Sequence, residues 1–165
     1  MTPAVVFYQS LAGVSFTLLG LWFAVLSLGH ESWRGAERHR STLHIALHFL
    51  LPGAASLAAL LAGDVAGGLI WRVAFILVGF VGLGESLPFL RSPEGPRARP
   101  GRTLRALDPW LYAAIIGSAF IQPGALPVAP LQVEGTIVAG VLLTGLSYVW
   151  LAFAERLPAD RTAAH

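Results

Sequence analysis

The chain has 165 residues, 55% of them apolar and only 12% charged, with a mean hydropathy of +0.67; a soluble domain this size would lack polar surface, so lipid is expected to cover much of it. The formal charge of +2 comes from arginines in loops that flank apolar stretches, which argues for an anionic leaflet and against nucleic acid. The absence of cysteine excludes disulfides, thiolate metal sites and cysteine nucleophiles.

The first span covers 4–28. It has no positive leader and no convincing cleavage site, so it is read as a retained helix and not as a signal peptide. Along it Ser10, Gly13, Thr17, Gly20, Ala24 and Ser27 recur at alternating three- and four-residue intervals. All are small, and such a row lets another helix approach closely where lipid competes equally for apolar contacts. It is read either as a packing seam within the chain or as the lining of a narrow pore, with Gln9 at the outer mouth. A less regular row on the last span, Thr136, Gly140, Thr144 and Ser147, is its candidate partner.

A polar loop, 29–41, contains Arg34, Arg38 and Arg40. The second span, 42–62, turns at 63–68 into the third, 69–90, as a tight hairpin. Asp64 and Arg72 are expected to pair near that turn. Pro52 and Pro88 are candidate kinks, and Gly79, Gly82 and Gly84 thin the third span along part of its surface. The loop 91–109 holds Arg91, Arg97, Arg99, Arg102 and Arg105, and the prolines and glycines between Arg91 and Arg102 argue against helix there. Asp108 is read as the cap and Pro109 as the first helical position, leading into a short fourth span, 110–126. A proline-rich break from Gln122 to Pro130 follows, then a fifth span, 133–154, and a polar tail, 155–165. The expectation is one all-α domain, a polytopic transmembrane bundle of five helices. At about 1.5 Å per residue its spans reach about 31–38 Å, enough for a hydrocarbon core of roughly 30 Å, the fourth excepted.

All arginines except Arg72 then lie at one end. The excess marks the cytoplasmic side, so the N-terminus is expected outside and the C-terminus inside a cell membrane. Trp33, Trp110 and Trp150 near that boundary and Trp71 near the other agree with the aromatic preference for interfaces. The lack of lysine, with abundant Ala, Gly, Leu and Arg, suggests a bacterial inner membrane.

Depth rather than proximity in sequence assembles the candidate site. His44 and His48 share a helical face, and Glu85 on the antiparallel third span descends to a similar level. An ionisable group within a span marks a functional site by default, and a His/Glu set can relay protons or offer hard ligands to a divalent metal. His44, His48 and Glu85 are therefore the candidate ion gate and also the weak metal candidates, for three ligands lack a fourth. Glu85 also has a structural reading, a pair with Arg91.

No Walker loop, dinucleotide turn or nucleophile elbow is present, so no cofactor is expected and enzyme chemistry is disfavoured, a metal-dependent membrane enzyme being the minor alternative. Five spans do not divide into equal inverted repeats. The reading is a homo-oligomeric channel or permease for a proton or small cation, with a noncatalytic subunit of a larger membrane complex as the alternative. The partners expected are lipid and either further copies of the chain or another membrane protein.

Overall fold

The computed structural model describes residues 2–28, 39–62, 68–92 and 99–154, and every regular element among them is helical. The helices are α1 (Pro3–Leu28), α2 (His39–Ala62), α3 (Leu69–Arg91), α4 (Arg99–Ser118) and α5 (Pro130–Ala154). Four of them, α1, α2, α3 and α5, are long and apolar enough to cross a membrane. Arg99, Arg102 and Arg105 in its first half keep α4 out of that group.

Successive helices pack side by side, and α2 also packs on α5. Half of the apolar window of α2 is buried, against 22% for α1, so α2 is the central post and α1 a peripheral one. Side chains such as Leu61, Leu77, Phe80 and Leu143 point outward. That apolar exterior is what a bundle solvated by acyl chains requires.

The helix α4 begins at Arg99, not near Trp110. Pro100 sits in its first turn, where a missing N–H removes no helical bond. Asp108 is consequently not a cap, and Pro109 lies inside the helix. Buried Gly101, Asp108, Tyr112, Ile115 and Ala119 mark one face of the helix. Turns and bends over 119–129 lead to α5.

Two arginines clasp the antiparallel pair α3 and α4. At one end the Arg105 guanidinium donates to the carbonyls of Phe89 (2.5 Å), Leu90 (2.8 Å) and Ser92 (2.6 Å). At the other, Arg72 donates to the carbonyls of Ala119 and Ile121, the latter at 2.8 Å. Each cation closes C-terminal carbonyls that a helix end leaves without intrahelical partners.

The small-residue row of α1 turns away from the bundle. Ser10, Gly13, Thr17, Gly20, Ala24 and Ser27 are exposed, as is Gln9, and a Cβ added at Gly13 or Gly20 would meet nothing within 4 Å. The buried face is Tyr8, Leu11, Ala12, Ser15 and Trp22. Its aromatic tips hold α1 in place: Tyr8 donates to the Leu131 carbonyl at 2.6 Å and Trp22 to the Thr42 carbonyl at 3.2 Å. Within the chain, therefore, α1 does not use its small residues for packing, and they do not meet the row on α5.

Candidate functional site

His44 and His48 stand one turn apart on the buried face of α2. Opposite them is Asp108 of α4, with 1% of its surface exposed. His44 Nε2 lies 3.1 Å from Asp108 Oδ2, and His48 Nε2 lies 3.3 Å from Asp108 Oδ1. The Tyr148 hydroxyl of α5 donates to Asp108 Oδ2. Three helices thus converge on one carboxylate.

Close backbone approaches set this geometry. A Cβ at Gly145 would fall 2.7 Å from His48 Cβ and 3.1 Å from the Phe49 ring, so only glycine lets α5 seat against α2 here. At Gly82 of α3 a Cβ would fall 2.1 Å from the Tyr112 ring. Tyr112 in turn meets His48 edge-on, with centroids 5.8 Å apart. The His44 ring stacks on Phe89 at 3.7 Å, and Tyr148 meets both imidazoles edge-on. Aromatic walls exclude water around the polar atoms and strengthen electrostatic interactions among them.

One hydrogen bond constrains the chemistry. His48 Nδ1 lies 2.9 Å from the His44 carbonyl, an acceptor only, so the Nδ1 proton is donated to it. In a neutral ring this leaves the Nε2 lone pair facing Asp108 Oδ1, one acceptor against another. A proton shared between Nε2 and Oδ1, or a metal ion, is needed to join them.

Glu85 is not among these neighbours. It lies with Arg40, Nε to Oε1 at 3.8 Å, at the same end of the bundle. The two histidines expected to share a face do so, and the carboxylate the structure brings to them is Asp108, with Glu85 placed beside Arg40. Asp64, expected to pair with Arg72, lies outside the described residues, as does Trp33; Arg72 itself donates to the carbonyls of Ala119 and Ile121.

A second buried carboxylate was not singled out from the sequence. Glu134 of α5 is fully buried, and neither oxygen has a hydrogen-bond partner among the described residues. The Ser118 hydroxyl and the Arg72 guanidinium are its polar neighbours. Both donate elsewhere, Ser118 to the Ala114 carbonyl at 2.7 Å and Arg72 to α4's end. By rise per residue, Glu134 and Tyr148 stand about 21 Å apart along α5, with Val138, Val141 and Leu142 buried between them. Its signal in the sequence was being the acidic residue inside an otherwise apolar helix.

Comparison of the chain with protein families, with curated proteins and with solved structures returns no match.

Proposed function

We propose that the protein is a five-span membrane protein that passes a small cation, with the His44, His48, Asp108 and Tyr148 cluster as the cation site on its cytoplasmic side. The observation that carries this reading is Asp108. A carboxylate in a span costs about 2.5–3.5 kcal/mol on insertion scales and persists where it has a task. Glu134, near the opposite end, supplies a second ionisable station, and the valines between the two form the barrier a closed pathway needs.

The fifth crossing is supported by the clasp on α3. From Arg72 to Phe89 that helix rises about 26 Å, close to a hydrocarbon thickness, and α4 runs back beside it between the same two arginines. Arg40, Arg91 and Arg105 collect at one end, in keeping with a cytoplasmic C-terminus and an external N-terminus. Flux into proteoliposomes, read with a pH dye for protons and a chelating dye for metal cations, tests the reading. Native protein should carry one of them, and Asp108→Asn and Glu134→Gln should fall to the level of protein-free vesicles. Equal flux through native protein and both variants would contradict it.

One observation favours a second reading, a noncatalytic subunit of a larger complex: the small-residue face of α1 is unoccupied by the chain's own helices. Purification in mild detergent separates the two. A discrete homo-oligomer supports the permease, whereas a single copy that brings a defined membrane partner supports the subunit.

A further inference from the structure

We propose that His44, His48 and Asp108 form a binding site for a divalent first-row transition-metal ion; this rests on the reading of the cluster as a cation site and names the cation. Their ligand atoms lie within 4.8 Å of one another. Bonds of about 2.0–2.1 Å from a tetrahedral metal place neighbouring ligand atoms about 3.3 Å apart. The nitrogen-to-oxygen separations, 3.1 Å from His44 to Oδ2 and 3.3 Å from His48 to Oδ1, are close to that edge length, each imidazole facing its own carboxylate oxygen, and an ion would draw the wider separations of the set inward.

The tautomer points the same way. Donation from His48 Nδ1 to a carbonyl, with Nε2 turned to the shared centre, is the arrangement by which proteins orient metal-binding imidazoles. Tyr148 holds the carboxylate in the corresponding manner by donating to Oδ2, the oxygen that faces His44. His44 has no partner at Nδ1 among the described residues, and its ring is held by stacking on Phe89.

Donor type selects the ion. Two imidazoles and one carboxylate suit zinc, iron, nickel or cobalt, whereas calcium takes roughly 6–8 oxygen ligands. Three protein ligands also leave a coordination position open. An ion in transit needs such a position in order to arrive and leave.

Cobalt(II) is the probe, because its ligand-field absorption reports imidazole and carboxylate coordination directly. Titrated into native protein in detergent after chelator treatment, it should bind at one ion per chain with visible bands, and excess zinc should abolish them. Asp108→Asn and His48→Gln should lose the bands, and Tyr148→Phe should weaken binding roughly 10–100-fold. Glu85→Gln should bind as native protein does. Failure of native protein to bind cobalt overturns the assignment without reference to any variant's folding, and so does binding that survives Asp108→Asn but not Glu85→Gln. Proton flux without cobalt binding would remove the metal and leave the permease reading standing; cobalt bound without flux of any cation would do the reverse.

Discussion

Asp108 accepts from Tyr148 and faces both imidazoles, and at 1% exposure it has almost no water to fall back on. Hydrogen bonds to a buried charged group contribute about 1.5–3 kcal/mol each. Tyr148→Phe should therefore lower unfolding free energy in mixed micelles by an amount in that range. His48→Gln and Asp108→Asn should combine non-additively, with a coupling of about 0.5–3 kcal/mol; strict additivity would mean that the two do not interact. Glu85→Gln breaks a partly exposed pair with Arg40, and loss of that pair should cost less than about 1 kcal/mol. The face shared by His44 and His48 was legible because their spacing alone fixes it. Their partner was not, since Asp-Pro-Trp reads as a helix start, and only the earlier start of α4 turns Asp108 from a cap into an interior residue.

Helices in this chain were easier to find than their faces. On α1 the small residues and the buried residues both recur at three and four, offset by two positions, which at about 100° per residue puts them on opposite sides. Periodicity cannot choose between two such stripes, and here the large aromatic side, with polar tips that reach Leu131 and Thr42, packs inward. On α3 the glycines divide in the same way. Gly82 receives the Tyr112 ring, whereas a Cβ at Gly84 would meet nothing within 4 Å. Gly82→Ala should destabilise by about 1–3 kcal/mol through overpacking and weaken the site by moving Tyr112 off His48. Gly84→Ala should be neutral or stabilise by about 0.5–1 kcal/mol, the usual gain on replacing a helical glycine. Thermal unfolding of the two variants side by side checks this contrast, and equal effects would contradict the packing of α3 on α4.

For the molecule as a whole, the outward face of α1 is the surface most open to association. At Gly13 and Gly20 an added Cβ meets no atom of the described residues within 4 Å, so Gly13→Leu and Gly20→Leu should both leave the monomer folded while dissociating an oligomer or expelling a partner, as read by cross-linking and light scattering in detergent. Unchanged association would assign assembly to another face. Composition made the long apolar helices legible, whereas the orientation that arginine placement suggests belongs to the proposal. A crossing by α4, part of the proposed function, has a weaker sequence signal, because Arg99, Arg102 and Arg105 dilute the apolar character of that helix. That crossing carries the account: if α4 spans the bilayer, Asp108 is a carboxylate held inside a membrane bundle, and if it does not, the cluster is an interfacial fastener. Because the chain has no cysteine, single cysteines placed at Thr2, Gln122 and Ala163 report sidedness without background. With a membrane-impermeant maleimide on sealed spheroplasts, the account expects labelling at Thr2 and Gln122 and protection at Ala163 until the membrane is opened; Thr2 and Ala163 reacting from the same side, or Gln122 protected with Ala163, would contradict it.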